Sequence, residues 1–185
     1  FNTASSSNSL TASELFSTSG PNNSITAWLG DGNSNAANGG SITAGAHPST
    51  TGVYVVQFRD VSGSNGGNAS ATNKINFQIW LYGPTSADPN RVEILYGPSS
   101  GTISTGRSLG IEDSVGGTGN YMNALNGLTN STTTATSFPA NGTLYRFVPP
   151  IPPACPAPTA LAVSNRASTS ATISWTSVGT LFDVQ

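Results

Sequence analysis

Charge is what this sequence has least of. Only 8% of its 185 residues are Asp, Glu, Lys or Arg, against about 25% in an ordinary globular domain. Six basic and eight acidic side chains leave a formal charge of -2, with no run of either sign, so there is no electrostatic footprint for nucleic acid or an anionic membrane. Solubility has to come from Ser, Thr, Asn and Gly. Long apolar runs are missing too: nothing approaches the roughly 18 apolar residues of a membrane span, and membrane insertion is not expected. Phe1-Asn2-Thr3-Ala4 lacks the charged and apolar regions of a signal peptide, so any export signal is expected outside this chain. No capped apolar pattern of period 3.6 occurs, which limits helices to single turns. The single cysteine, Cys155, cannot close an internal disulfide and by itself reads as an unpaired thiol. The single histidine, His47, lies in Gly45-Ala46-His47-Pro48, with no G-x-S-x-G turn elsewhere. It reads as a solvated turn residue, and no nucleophile-base pair is expected.

What is present is a series of short β-type segments punctuated by Gly and Pro. The first 24 residues are polar, with scattered Leu10, Leu15 and Phe16, and read as a loop or edge segment leaning on the rest of the domain. Ile25 to Leu29 reads as a short strand, and residues 33 to 52 as loop. Val53 to Phe58 and Ile75 to Tyr82 are β-branched and aromatic, and the second alternates with period two. Phe77, Ile79 and Leu81 are therefore expected in a core. After the turn Gly83 to Asn90, Arg91 to Tyr96 puts Val92, Ile94 and Tyr96 on one face and Arg91 and Glu93 on the other, an antiparallel hairpin. Ser108 to Ile111 and Leu144 to Val148 add two strands across a Gly, Asn and Thr-rich connection. The expected fold is all-β, an antiparallel sandwich of jelly-roll type. Prolines mark a semi-rigid spacer over 149–156. The expected organisation is a sandwich module at 1–148, that linker, and the beginning of a second domain at 157–185.

Two stretches resemble known families. Ala157 to Val163, Ser170 to Trp175 and Phe182 to Gln185, with the leading Pro158, the strand ending in Trp175 and the aromatic Phe182, resemble the first three strands of a fibronectin type III domain, an immunoglobulin-like sandwich of seven strands. Ile25 to Asp31, Val53 to Val61, Asn76 to Tyr82, Val92 to Gly97, Ser108 to Asp113 and Ser137 to Pro149 resemble, in order, a β-sandwich module of large bacterial proteins exported by the type IX secretion system. The likeness departs after Trp28, where Leu29-Gly30-Asp31 stands in place of a charged or aromatic pair. The resemblance implies a fragment cut at both ends, with the module's first strands before Phe1, and an extracellular or cell-surface location. It also implies a disulfide from Cys155 to a residue outside this chain, roughly 50 to 80 residues downstream in a seven-strand sandwich. Asp113-Ser114-Val115 is similar to the short O-glycosylation acceptor of these bacteria, which makes Ser114 a candidate.

Other candidates come from the residues themselves. Trp80 and Tyr82 share a strand face with Asn76 and Gln78, and aromatic rings beside amides are what a sugar-binding platform needs. The same rings could instead pack against another sheet or domain. Asp31, Asn33 and Asn35 place oxygens at alternating positions, as calcium loops do, but Ala36 and Ile42 break the EF-hand pattern, so an Asx turn competes with a calcium site. Asp31, Asp60, Glu93, Glu112 and Asp113 are the candidate carboxylates for a glycosidase pair, but adjacent Glu112 and Asp113 would point to opposite faces of a strand or sit in a loop, and a surface-charge reading stands ahead of a hydrolase. Asn22, Asn68, Asn130 and Asn141 fit N-x-S/T by composition alone. The expected function is a non-catalytic structural or adhesive module of a large secreted bacterial surface or filament protein. Its expected partners are neighbouring β domains, copies of itself, or glycans. The alternative is an accessory carbohydrate-binding module of a secreted enzyme.

Overall fold

The computed structural model describes residues 14–18, 22–28, 39–62, 72–103, 106–150 and 159–176. The chain forms two compact units, 1–149 and 150–185. Among the described residues the only helical segment is a single 3₁₀ turn, Glu14–Phe16. None is long and apolar enough to cross a membrane.

In the first unit the strands are β1 (Ile25–Thr26), β2 (Ser41–Ala46), β3 (Val53–Ser62), β4 (Lys74–Tyr82), β5 (Val92–Tyr96), β6 (Gly110–Glu112), β7 (Tyr121–Asn123) and β8 (Leu144–Phe147). They make a five-stranded sheet in the order β2-β3-β4-β5-β8 and a three-stranded sheet in the order β1-β6-β7. All pairings are antiparallel. The fold is thus the all-β antiparallel sandwich that the alternation implies.

Alternation in β4 fixes which side faces in. Ile75, Phe77 and Ile79 are buried, and cross-strand pairing sets Phe77 against Phe58 and Tyr96, and Ile79 against Val56 and Ile94. The Phe58 and Phe77 rings stack at 4.4 Å. Ala27 and Leu109, from segments flanking the small sheet, complete this core, while Leu81 and Val92 pack against it half-buried. Fully burying a side chain such as Ile94 contributes about 1.5–3 kcal/mol. The Tyr96 hydroxyl donates to the Ala27 carbonyl, joining the two layers at a polar point inside the core. On the small sheet, Leu15 is buried and the Phe16 ring lies 5.0 Å from Tyr121.

Two features shape the large sheet. Between Phe58 and Val61 the β3 register shifts, with Asp60 at φ 48°. That is a β-bulge, which raises local twist. Asn76 holds it: its Oδ1 accepts from the Asp60 N–H at 2.8 Å, and its Nδ2 donates to Asp60 Oδ1 and the Pro98 carbonyl. The second feature is the β4–β5 turn, closed by the Ser86 N–H and hydroxyl, both bonded to the Gly83 carbonyl. Gly52 lies against it at φ +74°, where a Cβ would stand 2.5 Å from Ser86 N and 2.7 Å from Thr85 carbonyl carbon.

The structure corrects the sequence reading in three places. Residues 41–46 are a strand, not loop: Ser, Thr, Ala and Gly dominate β2, and pairing to β3 rather than propensity makes it a strand. Tyr121–Asn123 is a strand inside the Gly, Asn and Thr-rich connection, where no strand was expected. There Asn123 is fully buried, its amide bonded to the Ser131 and Thr133 carbonyls. His47 opens the β2–β3 turn, as read, but is half-buried rather than solvated, its ring 4.7 Å from that of Trp80.

In the second unit β9 (Thr159–Ser164) and β10 (Thr172–Thr176) form an antiparallel hairpin, with Ile173 opposite Val163. Leu161, Val163, Ile173 and Trp175 are exposed. The segment Phe182 to Gln185, expected as a third strand, lies outside the described residues, as does Cys155.

Candidate functional site

The outer face of the five-stranded sheet carries the residue types that the sequence singled out. Pairing puts them in rows across the strands. Thr43, Gln57, Gln78 and Leu95 form one row; Gly45, Val55, Trp80, Glu93 and Arg146 form the next. Because side chains alternate along each strand, both rows point away from the core that holds Phe77 and Ile79.

At one end this face is closed by charge. Tyr82 is buried, its hydroxyl donates to Glu93 Oε2 at 2.8 Å, and the Arg91 guanidinium covers its ring at 3.9 Å. Arg146 Nε donates to Glu93 Oε1 at 2.6 Å, and Arg91 Nε lies 3.4 Å from the same oxygen. Arg91 also reaches Asp88 at 2.7 Å. Burial by itself would raise the Glu93 carboxyl, but the hydrogen bonds from Tyr82 and Arg146 and the two guanidinium charges outweigh it and hold Glu93 below the usual carboxylate range. Burial pushes the Tyr82 hydroxyl up.

The rest of the face is open. Two hollows, of about 320 Å³ and about 500 Å³, share Gln57 and Gln78. The smaller is lined by Thr43, Gly45, His47, Pro48 and Val55. The larger runs past Arg59, Asn76, Leu95 and Pro98 to Asn141. Trp80 lines neither. Its Nε1 donates to Gln78 Oε1 at 2.8 Å and its ring packs on His47, so it holds two lining side chains in place.

The four expected binding residues therefore share one face but not one role. Gln78 faces the open trough, Trp80 supports it, Asn76 lines it with its amide committed to the bulge, and Tyr82 is covered by Arg91. Gln57, Thr43 and His47 escaped the sequence reading. Gln57 could have been found from its parity with Val55 in β3, whereas Thr43 and His47 had no signal without β2.

Ser114 is exposed beside β6, in a loop where Asp113 Oδ1 accepts from the Val115 and Gly116 N–H groups and Asn22 donates to the Ser114 and Val115 carbonyls. Asp31, Asn33 and Asn35 lie outside the described residues, as does Asn68. Among the described residues no cluster of three His, Cys, Asp or Glu side chains could hold a metal ion. Buried Glu112 accepts from the Ser24 hydroxyl at 3.3 Å, and burial raises its carboxyl above the usual range.

Fold and face together define a β-sandwich domain with an open polar trough on its larger sheet. A family model described as NIDO related matches residues 1–149, and the chain belongs to that family. NIDO-related domains are typically extracellular. No match was found among curated proteins or among solved structures.

Proposed function

We propose that the chain is an adhesive module of a large secreted bacterial surface or filament protein, acting through surface contacts and without catalysis. The trough across the outer sheet face carries this reading, because it offers an exposed binding surface on a rigid sheet. The state of the carboxylates supports the absence of catalysis. Glu93 is clamped by Tyr82 and Arg146, Asp88 pairs with Arg91, Asp60 bonds Asn76, and Asp113 caps its own loop. None of these is poised to exchange a proton with a ligand in the trough.

The finer parts of the reading rest on the sequence likenesses. They are export by the type IX system, a fibronectin type III domain beginning near residue 157, O-glycosylation at Ser114 and a disulfide from Cys155 to a residue outside this chain. The β9–β10 hairpin supports the fibronectin part, since its open apolar face needs further strands to cover it. Calcium at Asp31, Asn33 and Asn35 stays a sequence proposal.

Beads coated with the purified chain should attach to cell layers or surface polymers, and the chain should turn over no glycan, ester or peptide. Turnover that survives repurification and disappears with one acidic substitution would overturn the reading. An accessory module of a secreted enzyme is the second reading, favoured by the exposed Gln57 amide in the trough. A glycosidase domain adjoining this segment in the parent sequence would decide for it.

A further inference from the structure

Resting on the adhesive reading, we infer that the ligand of the outer face is an uncharged oligosaccharide lying across the strands, from β2 toward β8. Three observations carry this.

The first is direction. The two hollows meet at Gln57 and Gln78, which face each other across β3 and β4, and together they reach from Thr43 and His47 on the β2 side to Leu95 and Asn141 on the β5–β8 side. With strands about 4.8 Å apart, five strands span about 19 Å, room for roughly three or four linked sugar rings. An extended peptide is read chiefly by backbone groups at a strand edge. Here the trough crosses strands whose backbone groups already pair with one another, so it offers a peptide no ladder to join.

The second is chemistry. Among the described residues Gln57 and Thr43 make no side-chain hydrogen bond. Gln78 accepts from Trp80 through Oε1, which turns its NH₂ away as a donor. Amides and a hydroxyl can both give and receive, as sugar hydroxyls do. Gly45, Val55, Pro48 and Leu95 supply apolar surface for the C–H faces of the rings, and the His47 ring, set against Trp80, flanks them.

The third is charge. Arg91 and Arg146 are committed to Glu93. Arg59, its side chain 69% exposed, and Asp60, 3.9 Å from it, both line the larger hollow. Among the described residues lining that hollow Arg59 is the one cation and Asp60 the one anion, so the trough carries no net positive charge to compensate the lost hydration of a carboxylate or sulfate.

The test is an array of neutral, sialylated and sulfated glycans probed with the full chain, followed by calorimetry with soluble neutral tetrasaccharides and the matching disaccharides. Neutral glycans should bind, tetrasaccharides more tightly than disaccharides. Gln57→Ala should weaken binding at least tenfold while leaving the thermal midpoint unchanged, because Gln57 is exposed. His47→Ala is the second variant and should weaken binding as well. No neutral binder at millimolar concentration, preference for acidic glycans, or binding indifferent to both substitutions would overturn the inference. Coated beads that attach equally well to glycan-free surfaces would overturn it while leaving the adhesive reading intact. Glycan binding without any attachment would do the reverse.

Discussion

Glu93 on β5 and Arg146 on β8 face each other across paired strands, joined at 2.6 Å, with the Glu93 side chain 4% exposed and that of Arg146 52% exposed. The carboxylate is sealed against the sheet while one of its cations remains in water. The sign of the acid dependence follows from the lowered Glu93 value. A carboxyl whose folded value lies below its unfolded value stabilises the fold at pH above the unfolded value, about 4.3, and that stability disappears as pH falls through the folded value. Glu93→Gln should therefore lower stability at pH 7 by about 1–3 kcal/mol and flatten the acid limb. Urea unfolding between pH 7 and pH 3 checks this, and an unaltered acid limb would contradict it.

Glu112 should behave in the opposite sense. Burial dominates there and raises its value, so the native state binds a proton more readily than the unfolded chain, and this group's contribution improves as pH falls toward its unfolded value. Glu112→Gln removes the cost of burying the charge and should raise the thermal midpoint at pH 7, with the gain shrinking at lower pH. A lower midpoint at pH 7 would show that the ionised form is the one the fold needs.

Ile79 lies 5% exposed between Val56 and Ile94. Ile79→Ala should cost about 2–5 kcal/mol in chemical denaturation. A loss under about 0.5 kcal/mol would mean that the β4 register is misplaced.

Gly52 tests the β4–β5 turn. Its positive φ and the closeness of Ser86 and Thr85 backbone leave no room for a side chain, so Gly52→Ala should destabilise by more than about 1 kcal/mol. Equal stability of the variant would rule out the close approach of the two turns.

The core of the large sheet was legible because β4 alternates from Ile75 to Ile79 and β5 sets Val92, Ile94 and Tyr96 on one face, a pattern that gives both the strand and its inward side. Phe77, Ile79 and Ile94 followed from that pattern directly. β2 was not legible, since Ser41 to Ala46 holds one large apolar residue, Ile42, and its pairing with β3 is a long-range fact. Missing β2 meant missing Thr43 and misreading His47, whose place against Trp80 exists only once the edge strand is laid down. Trp80 was found for its ring, yet the structure uses it to hold Gln78 and His47. Asn76 looked like a ligand amide because no local pattern announces the bulge at Asp60 that occupies it.

Whether the outer sheet face is the adhesive surface can be read from attachment under flow, comparing beads that carry the wild-type chain with beads that carry Gln57→Ala at equal coating density and equal thermal midpoint. Adhesion through this face predicts that wild-type beads attach and that the variant loses most of that attachment. Attachment unchanged by the substitution would place the contact surface elsewhere and contradict the proposed function of the trough.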